Sequence, residues 1–310
     1  MLAVPLCALL LAPPPVHGVA LGLYSEDAGF SYAPLLREIA QVGANHVELV
    51  INLYQTDGAA SALYEHTRFT APEPAITRAM ADARALGLRT VLLPIVRLSA
   101  PRPGEWRGNL APKDLRAWWK SYASHIVRYA RLAQRGGAAA LVIGSELGTL
   151  DGELGPWRLL ARTVRRQFGG QLLYSANWDH FRDARVWDAV DGIGMSFYFP
   201  VDANFATLPG QLEAFARAHG KKPIWLTEVG YLSQRGAGAW PWKEQAQEPV
   251  DLEEQRRCYQ AFIRAWDGSP ALGGLFFWNW YGWGGAGSPG YTPRGKPAAH
   301  EIARWFGAHP

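Results

Sequence analysis

Eight times along this 310-residue chain a short apolar run is followed by a stretch with helical patterning, and that alternation limits the possible folds more than any other feature. Strands joined through helices run parallel, because the crossover carries the chain back to the same end of the sheet. Parallel strands are covered on both faces, so they read as near-continuous apolar runs. Strands are expected at 19–24, 46–54, 89–98, 140–146, 172–177, 192–199, 223–231 and 273–280. Helices are expected at 32–42, 72–86, 112–135, 156–168, 208–219, 252–266 and 297–306. Between the fifth and sixth strands, 180–189 has room only for a short helical turn. Thr70 with Glu73, and Asp251 with Glu254, have the capping-box spacing that satisfies free amides at a helix start. Gly43, Gly87, Gly136-Gly137, Gly169-Gly170 and Gly220 follow helices where a left-handed cap is wanted.

Eight such units predict an α/β fold, a single (β/α)8 TIM barrel over 19–310. The competing architecture is a doubly wound open sheet, which brings a glycine-rich phosphate loop after its first strand. Here that position reads Tyr24-Ser25-Glu26-Asp27-Ala28-Gly29, which has no such pattern.

Residues 1–18 are expected to stand outside the fold as a signal peptide. An apolar run at 2–12 has signal-peptide length, Pro13 to Pro15 break it, and Val16-His17-Gly18 offers small residues for cleavage, although a basic n-region is missing. The expected location is secreted or periplasmic. No other apolar stretch approaches the roughly 20 residues of a membrane span. The 31 Lys and Arg are scattered against 27 Asp and Glu, which argues against nucleic acid as a partner. With Cys7 in the leader, Cys258 is left alone in a helical stretch, so it is read as a buried inert thiol and no disulfide is expected. The eight His lack paired zinc spacing; no metal or cofactor is expected, and the chain is expected to be a monomer. Gly144-Ser145-Glu146 does not fit a serine nucleophile elbow, which needs glycines flanking the serine at a set spacing.

Two of the apolar runs end on glutamate: Glu146 closes the fourth and Glu228 the seventh. A carboxyl where a buried strand emerges is costly unless it is used, so two such endings point to paired-carboxylate chemistry, of which glycoside hydrolysis is the leading case. Period-two parity puts Val142, Gly144 and Glu146 on one face, Ile224, Leu226 and Glu228 on another, and Gly194, Ser196 and Tyr198 on a third. If these faces point inward, the three functional groups meet at the C-terminal mouth, where barrel enzymes place their active sites. Tyr198 is then placed to donate its hydroxyl to Glu228. Trp278 could floor the cleaved sugar's subsite, while Asn177 and Trp178, Arg97, Asn52 and Tyr24 end other strands and are further candidates for sugar contact. Trp106, Trp178, Trp240, Trp242, Trp278, Trp280 and Trp283 fall in segments expected over the mouth, where stacking on sugar rings would explain them.

In these residues the chain resembles the clan A retaining glycoside hydrolases, which are (β/α)8 barrels with an acid/base after strand four and a nucleophile after strand seven. The resemblance implies Glu146 as acid/base and Glu228 as nucleophile, with their carboxyls about 5 to 5.5 Å apart. Ile143-Gly144-Ser145-Glu146-Leu147, Leu53-Tyr54-Gln55, Tyr174-Ser175-Ala176-Asn177-Trp178 and Phe277-Trp278-Asn279-Trp280 look most like glycoside hydrolase family 113, whose characterised members are endo-acting β-1,4-mannanases. The implied substrate is a mannan-type polysaccharide. One position departs from the clan pattern: Ser145 stands where many members have Asn, so the sugar 2-hydroxyl contact must come from elsewhere. A hydrolase for another β-glycan such as xylan or β-glucan, and a barrel that binds sugar without turnover, remain the alternatives.

Overall fold

The computed structural model describes residues 15–243, 248–282 and 284–308. Eight strands, β1 (Val16–Gly22), β2 (His46–Gln55), β3 (Arg89–Leu98), β4 (Ala140–Ser145), β5 (Gln171–Asn177), β6 (Ile193–Phe197), β7 (Ile224–Val229) and β8 (Leu272–Phe277), pair in sequence order into a closed barrel. All neighbours are parallel, and β1 closes against β8. The crossovers hold α1 (Ala33–Gln41), α2 (Glu73–Ala85), α3 (Leu115–Gly136), α4 (Leu154–Arg165), α5 (Leu208–Ala218) and α6 (Leu252–Trp266), with α7 (Pro297–Ala308) after β8. Between β5 and β6 stands one 3-10 turn, Val186–Ala189, as the short spacing predicts. Trp187 from that turn is buried edge-on to Tyr174 and Phe215, filling ground that a helix would cover elsewhere.

Two layers make the core. Outward-facing residues of the strands, such as Val19 and Leu21 of β1 and Val47, Leu49 and Ile51 of β2, pack against the helices. Inside the barrel Ala20, Val50, Leu93, Val142, Trp225 and Phe276 form a separate apolar plug. The Trp225 and Phe276 rings lie nearly parallel, 6.4 Å apart, and they fit because their neighbours lack side chains. A Cβ at Gly18 would fall 2.2 Å from the Phe276 ring, and one at Gly274 would fall 2.8 Å from Trp225. Burying a side chain of this size contributes about 1.5–3 kcal/mol, so the two rings anchor the barrel's interior.

Two sequence expectations are corrected. Val16, His17 and Gly18 belong to β1: Val16 pairs with Gly274, and the buried His17 ring stacks on Phe306. The fold therefore starts at least three residues before 19, because β1 needs that length to close on β8; the rest of the expected leader, 1–14, lies outside the described residues. Thr70 does not cap α2, whose N-cap is Pro72; the Thr70 hydroxyl accepts from His66 N–H at 2.9 Å. The other expected cap is present, with Asp251 accepting from Glu254 N–H at 2.8 Å, and a cap not foreseen, Asp114, starts α3. Cys258 is buried on α6, and burial pushes its thiol up to about 12.

Candidate active site

Strand parity predicts the inward residues of β6 correctly and those of β4 and β7 only in part. On β6, Ile193, Met195 and Phe197 pack outward, leaving Gly194, Ser196 and Tyr198 inside. On β7 the inward residue is Trp225, whereas Ile224 and Leu226 face the helices, opposite to expectation. Glu228 reaches the interior because the pairing slips between β6 and β7: Met195 pairs with Leu226, but the next residue, Ser196, pairs with Glu228. On β4 the pairing with β5 is irregular between Val142 and Ser145, and a Cβ at Gly144 would point outward at Trp157 and Tyr174.

Glu146 completes the turn inward with a left-handed backbone, φ 51°, held by its N–H donating to Ser175 O at 2.7 Å. A non-glycine residue there costs about 1–3 kcal/mol, a strain typical of functional positions. Glu146 and Glu228 are both buried and both line a cavity of about 800 Å³ at the C-terminal mouth. β6 serves both. Ser196 Oγ donates to Glu146 Oε1, and Tyr198 Oη donates to Glu228 Oε2 at 3.1 Å. Burial, reinforced by the charge of Glu228, holds the Tyr198 phenol well above its usual range, so it remains a donor.

The remaining candidates divide. Tyr24, Arg97, Asn177, Trp178 and Trp278 line the cavity. Trp178 stacks on Trp242, another lining residue, with centroids 5.1 Å apart, and Trp106 stands partly exposed at the rim. Asn52 is outside the lining; its side chain donates to Phe69 O at 3.4 Å, which ties β2 to its following loop. Trp280 is not a sugar platform but a core residue, and its Nε1 donates to Glu38 Oε2 at 2.8 Å, beside the Glu38–Arg294 ion pair. Exposed Trp240 packs edge-on against Trp242 next to the main cavity rather than in it. Trp283 lies outside the described residues.

Among the lining residues that escaped the sequence reading are Arg107 and Tyr291. Arg107, from a 3-10 turn between β3 and α3, forms an ion pair with Glu146 Oε2. Tyr291 comes from the loop before α7, and its ring centroid lies 5.9 Å from that of Tyr198. Neither stands at a strand end, and only the loop's path brings them in. Deeper in the barrel, Glu48 of β2 is wholly buried and neither carboxyl oxygen has a hydrogen-bond partner. Burial, and secondarily the charge of Glu228, push it well above the ordinary carboxylate range, so it stands as a neutral acid. Among the described residues no group of three or more His, Cys, Asp or Glu is placed to hold a metal ion.

A closed parallel barrel with two buried glutamates at the ends of β4 and β7, opening into one aromatic-rimmed cavity, has the construction of a glycoside hydrolase. The family model for glycoside hydrolase family 113 matches residues 22–283, and the chain belongs to that family. Its fold is shared with a family 113 β-mannanase from Alicyclobacillus acidocaldarius solved in complex with ManMIm. The two align with a TM-score of 0.89 at 29% identity, over 96% of this chain and 99% of that one. A family 113 β-1,4-mannanase solved as a complex aligns with a TM-score of 0.89 at 21% identity, over 96% of this chain and 100% of the other. Among curated proteins, none matches the sequence.

Proposed function

We propose that this protein hydrolyses β-1,4-mannosidic bonds in mannan-type polysaccharides with retention of anomeric configuration. The observation that carries the reading is the pair of buried carboxyls at one mouth, each with its own hydroxyl donor, Ser196 or Tyr198. Glu228 is the nucleophile: its carboxylate attacks the anomeric carbon while Glu146 protonates the departing glycosidic oxygen, leaving a glycosyl ester on Glu228. Glu146 then takes a proton from water as that water displaces Glu228. Trp278 supplies the apolar surface under the reacting sugar, and the Trp178–Trp242 stack grips a neighbouring one. The mannan assignment is supported by family membership and by the β-mannanases that share the fold.

The test is a comparison of manno-, cello- and xylo-oligosaccharides of equal length, with the first-formed anomer followed by NMR. Manno-oligosaccharides are expected to be the best substrates, with the β-anomer released first. A cello series cleaved as well would remove the mannan assignment, and α-anomer first would remove the mechanism. We also propose export, supported by the apolar run at 2–12, and action as a monomer, since β4, β6 and β7 of one chain supply both carboxyls and their hydroxyl donors. Cell fractionation and light scattering test these two points.

A further inference from the structure

Both oxygens of the Glu146 carboxyl are engaged, and the two partners differ in what they permit. Ser196 Oγ, bonded to Oε1, can reverse its role: with its proton turned to Ala176 O, 3.3 Å away, it accepts a hydrogen bond from a protonated Oε1. Arg107, paired with Oε2, cannot reverse. A guanidinium is always charged and only donates, so it suits a carboxylate and opposes a carboxylic acid. The reaction proposed above needs the same carboxyl as an acid in its first half and a base in its second. With Arg107 in place, Glu146 is arranged for the second.

Arg107 reaches Glu146 from a different part of the chain. Its turn is fixed by the Asn109 side chain: Trp106 N–H donates to Asn109 Oδ1 at 2.9 Å, and Asn109 Nδ2 donates to Gly104 O at 2.9 Å. Gly108 O accepts from Thr149 N–H at 3.1 Å, three residues beyond Glu146. The turn is thus docked on the segment that follows Glu146, while the long Arg107 side chain spans the remaining gap. Trp106 beside it is 41% exposed and lines the same cavity, so a sugar settling against that indole meets the guanidinium next to the carboxyl.

We propose that Arg107 is a substrate-displaced clamp on Glu146. An aglycone sugar arriving beside Trp106 draws the guanidinium off Oε2, and the freed carboxyl takes up from solvent the proton it then gives to the glycosidic oxygen. When the aglycone leaves, Arg107 returns to the carboxylate, which takes a proton from the attacking water and releases it to solvent as the ion pair is restored. Arg107 transfers no proton and forms no bond to substrate carbon; it is a positioning residue, and its role rests on the assignment of Glu146 as acid/base.

The experiment compares the full-length enzyme with Arg107→Gln, Arg107→Lys and Glu146→Ala on a dinitrophenyl β-mannobioside. That leaving group needs no acid, so turnover is limited by the water step. Arg107→Gln is expected to lower kcat roughly tenfold, a part of the 10²–10⁴-fold that a general base supplies. Its kcat/KM should stay within about twofold, because formation of the glycosyl-enzyme is untouched. Azide, which attacks without a base, should restore turnover, and Arg107→Lys should keep most of kcat. An unchanged kcat for Arg107→Gln overturns the clamp. So does an equal fall in kcat and kcat/KM without azide rescue, the signature of a damaged loop. Glu146→Ala separates the two readings: if azide rescues it but not Arg107→Gln, only the clamp fails. If azide rescues neither, the acid/base assignment fails and takes the clamp with it.

Discussion

Replacing Tyr198 by phenylalanine removes one oxygen from the barrel mouth and little else. The ring is buried and its contact with Tyr291 survives, so the change isolates the 3.1 Å hydrogen bond to Glu228 Oε2. A hydrogen bond to a charged group contributes about 1.5–3 kcal/mol. At about 1.4 kcal/mol per decade of rate, its loss lowers kcat/KM by roughly 10- to 150-fold. Because Glu228 attacks in every glycosylation, the fall should be similar for mannohexaose and for a dinitrophenyl mannoside, and azide should not reverse it. Stopped-flow measurement of dinitrophenolate release, paired with thermal melting to confirm folding, gives the answer. A variant within about twofold of the parent on both substrates would show that Tyr198 only fills space.

Three further outcomes follow from contacts described above. Trp280→Phe should lower the melting temperature by removing the bond to Glu38, a cost of about 1–3 kcal/mol, while leaving KM unchanged; a raised KM would return Trp280 to the sugar site. Glu48→Gln should gain stability relative to the parent as pH rises from 4.5. The native state keeps its proton where the unfolded chain has lost it, so the parent loses stability in that window; a pH-independent difference in melting would refute a neutral Glu48. Trp178→Ala should raise KM for long manno-oligosaccharides with a smaller effect on kcat, and an equal effect on both would place Trp178 at the reacting sugar instead.

The barrel was legible because its determinants are local: eight apolar runs, glycines such as Gly43 and Gly137 with positive φ after helices, and the cap at Asp251. The two carboxyls were legible as strand endings, but the parity argument that aimed them inward did not describe β4 or β7. Each strand has a pairing irregularity, and the left-handed φ of Glu146 depends on the Ser175 carbonyl across the sheet, a contact no local pattern encodes. Trp280 and Asn52 misled for a related reason. Both stand at strand ends of the right composition, and only the partners Glu38 and Phe69 O give them structural roles. Arg107 and Tyr291 sit in loops with no periodicity, so their approach to the carboxyls is a property of the folded chain alone.

The stacked Trp225 and Phe276 inside the barrel make the cavity a vessel with a sealed bottom. Nothing that reacts at Glu228 can arrive or depart through the floor. The water that completes the second step must use the same doorway as the departing sugar, and a second sugar can use it as well. Water and sugar therefore compete for the glycosyl-enzyme at one threshold, and the outcome, a shortened chain or a newly joined one, depends on how crowded that threshold is.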